Sequence, residues 1–127
     1  GLTEDEVSIG DLLRADDVLL EVSQPRLPCF KLGMRMGDPG FLKPFLASGR
    51  IGFYLRVREP GSIAAGDALR LERRGEGSMT VRQVAALMRD GAPAEDLARG
   101  ARVAALPEEW RAMFARRAEA ALRRPPA

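Results

Sequence analysis

Hydrophobic and polar residues alternate most regularly over residues 52–58. Phe53, Leu55 and Val57 fall on one side of an extended chain; Tyr54, Arg56 and Arg58 fall on the other. A period of two marks a strand with unlike faces, here one greasy and one basic. Residues 11–14 predict a brief strand. Ala15-Asp16-Asp17 predicts a turn in which aspartate side chains bond back to the backbone. Residues 18–23 predict a second strand whose ladder Pro25 ends, having no N–H to donate. Further on, Pro60-Gly61 matches the centre of a type II turn. Ser62-Ile63-Ala64 reads as a short strand, Ala65-Gly66-Asp67 as another turn, and 68–73 as a strand with Leu69 and Leu71 inward. Short strands with tight turns predict a barrel or a small closed sheet.

After Arg74-Gly75-Glu76-Gly77-Ser78, a polar glycine-rich stretch read as a linker, the period changes to that of a helix. Thr80 and Gln83 have capping-box spacing; Val81, Val84, Ala85 and Met88 share a face, and Gly91 is the stop. Pro93 opens a second helix with Leu97 and Ala101 inward, interrupted by Gly100. Pro107 opens a third, where Trp110, Met113, Phe114, Ala118 and Ala121 recur at helical spacing. Earlier in the chain, Pro28 would begin a short helix over 29–36. Asp38-Pro39 would begin another that Gly49 ends, although Pro44 fits it poorly. The chain therefore divides into a sheet region, 1–74, and a three-helix region, 79–124.

Composition narrows the chemistry. With 127 residues the chain suits one domain, or a small domain with an appendage. No run is long and apolar enough to span a bilayer, and the acidic opening does not read as a signal peptide. A single cysteine cannot form an internal disulfide, so a cytoplasmic protein is expected. The absence of histidine excludes Ser-His-Asp and Cys-His catalysis and histidine metal sites, and one cysteine excludes cysteine-rich zinc modules. The net charge of +2 is unevenly spread. Residues 1–22 carry seven acids against Arg14, a net of −6; residues 23–58 carry seven bases against Asp38, a net of +6. A basic block folded round a pocket would attract an anion; the same block would otherwise be a solvated face.

The chemistry-bearing stretch is Ser23-Gln24-Pro25-Arg26-Leu27-Pro28-Cys29-Phe30-Lys31. Pro25 and Pro28 stiffen it, and Arg26 and Lys31 flank Cys29. Nearby cations favour the thiolate, the form that ligates metals and attacks electrophiles. A lone cysteine is otherwise a small buried apolar residue.

That stretch, extended to Leu32, resembles the cysteine motif of MOSC domains, named for the C-terminal domain of molybdenum cofactor sulfurase. Gly52-Phe53-Tyr54-Leu55-Arg56-Val57, then Pro60-Gly61 and Ala65-Gly66-Asp67, is similar to the family's next landmark. Met79-Thr80-Val81 and Ala105-Leu106-Pro107-Glu108-Glu109-Trp110 resemble the "3-alpha" region of its YiiM-like branch. The resemblance implies a mainly β fold with α: a partial MOSC-type β-barrel followed by a small three-helix segment. The family's barrel has an N-terminal half with no counterpart here, so the expectation is a partial chain, or one needing a partner to finish its sheet.

The resemblance also implies a molybdenum–pterin cofactor with Cys29 as metal ligand and catalytic residue; its phosphate and pterin need cations and hydrogen-bond donors nearby, for which Arg26 and Lys31 are the local candidates and Arg56 the next. Alternatively, Arg26 pairs with Glu21, Lys31 is solvated and Arg56 balances an acid across the sheet. Pyridoxal phosphate is a further cofactor considered. The implied activity is reduction of a small N-hydroxylated compound to an amine, fed by a separate or fused electron-donating reductase. No nucleic acid or membrane partner is expected, and a homodimer is left open. Two other classes remain: a sulfur carrier with a Cys29 persulfide, serving cofactor maturation, and a non-enzymatic helical binding module suggested by the arginine-rich third helix.

Overall fold

The computed structural model describes residues 2–26, 52–75, 77, 79–89 and 91–123. Leu12–Ala15 (β1) and Val18–Pro25 (β2) form a hairpin, with Leu12 opposite Glu21 and Ala15 opposite Val18. Its two-residue connection has Asp16 at a φ of 54°, a left-handed conformation that aspartate tolerates. Phe53–Glu59 (β3) pairs antiparallel with β2, and Arg70–Arg73 (β4) pairs antiparallel with β1. The order is β3-β2-β1-β4. The fold is mainly β with α, as expected, but the sheet is open: β3 and β4 are edges and do not meet, so no closed barrel forms among the described residues.

Several finer expectations are corrected. Pro25 does not cut the ladder short; it is buried and stands opposite Phe53. β1 pairs only with residues up to Glu21 of β2, so the ladder between them never asks Pro25 for the N–H it lacks. Residues 62–64 are not a strand. Ala64 N–H donates to Asp67 Oδ2 (2.8 Å) and Asp67 N–H to Ala64 O (3.1 Å), a local turn that diverts the backbone from pairing. Gly66, at φ +95°, supplies the left-handed residue of that turn. Leu69 and Leu71 are not buried, although Leu71 stands opposite Leu13 on the core side of the sheet; they are 38% and 37% exposed, and Val57 is 59% exposed. The helices expected over 29–36 and 38–49 lie outside the described residues.

Val81–Ala86 (α1) opens with the expected capping box. Gln83 N–H donates to Thr80 Oγ1 (3.1 Å), and Thr80 N–H donates to Gln83 Oε1 (2.9 Å). The helix ends at Ala86 with Leu87 as cap, earlier than Gly91. Ala94–Ala101 (α2) and Glu108–Arg123 (α3) pack on each other. Gly100 does not interrupt α2. It is buried within the helix, where a Cβ would lie 2.6 Å from Leu87 Cδ1 and 3.1 Å from Phe114 Cδ2. Its missing side chain is what lets α2 approach so closely. Trp110 meets Phe114 edge to face at 6.0 Å. Arg117 donates to the carbonyls of Leu87 and Arg89, and Arg111 to that of Leu106, capping these chain turns from α3.

Sheet and helices share one core. Leu13 and Val22 from the strands cluster with Val81, Val84, Leu97, Leu106 and Phe114 from the helical part, and with Val7 and Ile9 from the first segment. That segment is the mortar. Val81 N–H donates to Val7 O (3.0 Å), Ile9 N–H to Met79 O (2.9 Å) and Arg82 N–H to Glu4 O (3.0 Å).

Candidate functional site

The cysteine stretch leaves the sheet at the end of β2, and the structure fixes the neck from which it leaves. Arg26 N–H donates to Gly52 O at 3.0 Å, and Gly52 N–H donates to Glu4 Oε1 at 3.1 Å. One step back, the Ser23 hydroxyl donates to Tyr54 O at 3.2 Å. The backbone at Arg26 is thus tied to Gly52, and Cys29 falls in the stretch of sequence between these two residues. Cys29 and Lys31 lie outside the described residues. Arg26 is exposed at the neck, three positions before Cys29, and its guanidinium pairs with no acid among the described residues; the alternative pairing with Glu21 is not seen.

Arg56 has a partner: it donates to Glu21, the residue directly opposite it on β2. Arg58 shares the same carboxylate at 3.3 Å. The ladder puts Arg56 five residues along β2 from Arg26, roughly 16 Å at strand rise, so these two cations are not brought together. Part of the segregated charge seen in the sequence is therefore neutralised across strands, acidic block against basic block. A second set joins the one base of the acidic segment to acids beyond both blocks. Arg14 reaches Glu72 with Nε at 3.1 Å and Nη2 at 3.2 Å, and Glu59 with Nη1 at 3.3 Å. The Arg14 bond holds the Glu72 carboxyl below its ordinary range; the bonds to Glu72 and then Glu59 raise Arg14.

Sequence reasoning missed a buried carboxylate. Asp11, with no exposed surface, accepts from Ser8 N–H (2.9 Å), Arg74 Nη1 (3.0 Å) and Gly75 N–H (2.8 Å). Arg74 also donates to Glu6 O at 2.7 Å. The start of the supposed linker is thus clamped to the first segment. Gly75 is required there, since a Cβ would fall 2.5 Å from Ile9 O. The available signal was an aspartate after Gly10 and an Arg-Gly pair closing a strand; their meeting across 63 residues was not in either local pattern. Among the described residues, no group of three acidic, histidine or cysteine side chains is arranged to hold a metal ion, and no helix is long and apolar enough to cross a membrane.

Comparison with known proteins places these features. Residues 1–70 match the MOSC domain, and residues 79–121 match the YiiM-like, 3-alpha helix domain. The chain is 39% identical over 115 residues to YflK of Bacillus subtilis, covering 90% of this chain and 52% of that protein. It is 42% identical over 89 residues to a protein of Gibberella moniliformis named reductase, covering 69% of this chain and 16% of that one. The crystal structure of YiiM from Geobacillus stearothermophilus superposes with a TM-score of 0.83 at 36% identity, over 93% of this chain and 61% of that one. YiiM from Escherichia coli superposes at 0.82 and 30% identity, over 94% and 60%. The chain therefore spans about half the length of the first of these relatives and three fifths of the solved structures. Pyridoxal phosphate gains no support from these relatives. The neck at Arg26 and Gly52, the sheet beneath it and the helices beyond are those of a protein that belongs to the MOSC domain family.

Proposed function

We propose that this chain carries the thiolate ligand of a molybdenum–pterin cofactor, at Cys29, in a protein that reduces N-hydroxylated compounds to amines. The observation that carries the reading is the MOSC match over residues 1–70, which contains the cysteine stretch and its pinned neck. The donor set fits such a group. A thiolate suits a soft metal, Arg26 is an exposed cation at the neck, and Lys31 is two positions beyond Cys29. Arg56 would have to leave Glu21 to take part.

When bound, the cofactor supplies two-electron chemistry: an N-hydroxylated substrate with two electrons and two protons yields amine and water. The chain's own residues hold and orient. β2 and its bond to Gly52 hold Arg26, three residues before Cys29, and Arg26 would offer a fork to an anionic group. One cysteine cannot hold an iron–sulfur cluster, so electrons would come from a reductase, separate or fused. The relative named reductase, of which this segment is a small part, supports that arrangement. We place the protein in the cytoplasm.

The test supplies an N-hydroxylated purine and a chemically reduced viologen to protein produced with molybdate. One amine formed per two electrons consumed, lost in Cys29→Ala, is the expected outcome. Stoichiometric cyanide-releasable sulfur with no amine formed would instead identify Cys29 as a sulfur carrier and overturn the proposal.

A further inference from the structure

Most polar side chains on β2 and β3 are already engaged. Ser23 donates to Tyr54 O, Glu21 holds Arg56 and Arg58, and Glu59 pairs with Arg14. Three at the neck are not. Among the described residues, the Gln24 carboxamide, the Tyr54 hydroxyl and the Arg26 guanidinium have no hydrogen-bond partner. Tyr54 is 53% exposed, and Gln24 is half-buried.

A bulge brings two of them together. Leu55 lies opposite Val22, Tyr54 opposite Gln24 and Phe53 opposite Pro25, which leaves Ser23 as one extra residue in β2. Val22 is buried, and strict alternation would aim Gln24 the same way, into the core. The extra residue shifts the phase. Pro25 turns inward opposite Phe53, which packs on the core, and Gln24 turns out beside Tyr54. Residues so opposed hold their Cβ atoms about 5 Å apart. Bulges recur beside active sites, where they re-aim a side chain. Arg26 comes next, its stem against Gly52, where a Cβ would lie 3.9 Å from Arg26 Cδ. Cys29 follows three residues later in the sequence, so covalent geometry alone keeps its Cα within about 11 Å of that of Arg26. The same face is closed on its other side by the Glu21–Arg56 pair.

We propose that Gln24 and Tyr54 are the specificity-determining residues of the neck, together forming a shelf for a flat heteroaromatic ring. The ring stacks on Tyr54, and its polar edge meets the Gln24 carboxamide, which donates and accepts at once. Arg26 is left free for an anionic group. A small aliphatic compound offers Tyr54 nothing to stack on, so the shelf favours aromatic N-hydroxylated substrates over aliphatic ones. That preference rests on the reductase reading proposed above; the shelf itself needs neither metal nor cofactor, and its occupation is measurable without them.

The test is a titration of the isotopically labelled chain, free of cofactor, with backbone amide shifts followed by NMR. The probes are adenine, which has a ring and a polar edge, and acetamide, which has the edge alone. Adenine should give saturable shifts centred on Gln24, Tyr54 and Leu55, and acetamide should not saturate. Tyr54→Leu should weaken adenine about tenfold, and Gln24→Leu by about threefold or more. Spectra that overlay the wild type away from the neck would show the fold intact. No saturable shift with adenine, shifts centred elsewhere, or unchanged affinity in Tyr54→Leu would each overturn the proposal, and acetamide binding as tightly as adenine would overturn the role of the ring. In protein produced with molybdate, the ratio of kcat/KM for an N-hydroxylated purine to that for hydroxylamine should fall about tenfold in Tyr54→Leu; an unchanged ratio would contradict the shelf. Adenine shifts without amine formation by the wild type would sink the reductase reading and leave the shelf standing. Amine formation without adenine shifts would do the reverse.

Discussion

A single row of residues crosses all four strands: Leu71, Leu13, Leu20 and Val57 stand opposite one another in turn. The two ends and the middle of that row have different fates. Leu13 is sealed in the common core, Leu20 is half-buried, and Leu71 and Val57 at the edges are exposed. All four are the same kind of residue on the same face, so side-chain chemistry does not explain the difference. Position does: the middle of the sheet is covered by the helices and the first segment, and the edges are not. The pattern of a strand tells which way a side chain points, and only the rest of the fold tells whether anything is there to meet it.

The helical side should be where substitutions bite hardest. Phe114→Ala, emptying a fully buried site among Gly100, Leu87 and Trp110, should cost about 3–5 kcal/mol by urea unfolding. Asp11→Ala should come next, at about 2–3 kcal/mol. It leaves the half-buried Ser8 and Gly75 N–H groups without their acceptor and frees Arg74 from its clamp. Gly100→Ala should cost about 1–3 kcal/mol by forcing Leu87 and the Phe114 ring aside. Val57→Thr, in the open end of the row, should change stability by no more than about 0.5 kcal/mol. A loss there as large as that of Gly100→Ala would break the comparison, because it would show that the edge is covered after all.

The smallest effect is electrostatic. The Glu72 carboxyl is held below its ordinary 4.5 by Arg14. A depressed carboxylate stabilises the fold above its unfolded pKa, and that contribution fades as pH falls through the lowered folded value. The pair is solvent-exposed, so the gain is slight. Thermal midpoints of wild type and Arg14→Ala should differ at pH 7 and converge below pH 4.5. A constant offset would assign the loss to packing of the Arg14 stem instead.

Periodic elements were legible where a local signal matched a covered position. Thr80 and Gln83 announced α1, the spacing of Phe114 and Ala118 announced α3, and the alternation at 53–58 announced β3. Gly100 misled because a glycine in a helix reads as a flaw until the neighbouring helix is seen pressing on it. Leu69 and Leu71 misled because alternation was taken for burial. The stretch around Cys29 stood out in the sequence by its prolines and flanking cations, but beyond Arg26 it lies outside the described residues. The attachment of Arg56 to Glu21 depended on strand register, and the Asp11 clamp joins residues 63 positions apart; neither is encoded in a local window.

The central functional claim is that Cys29 ligates molybdenum. Metal content by mass spectrometry, on protein produced with molybdate, addresses it directly in wild type and in Cys29→Ser, both first shown to unfold at the same temperature. The account expects molybdenum near stoichiometry in the wild type and almost none in the variant. Equal molybdenum in the two proteins would contradict it.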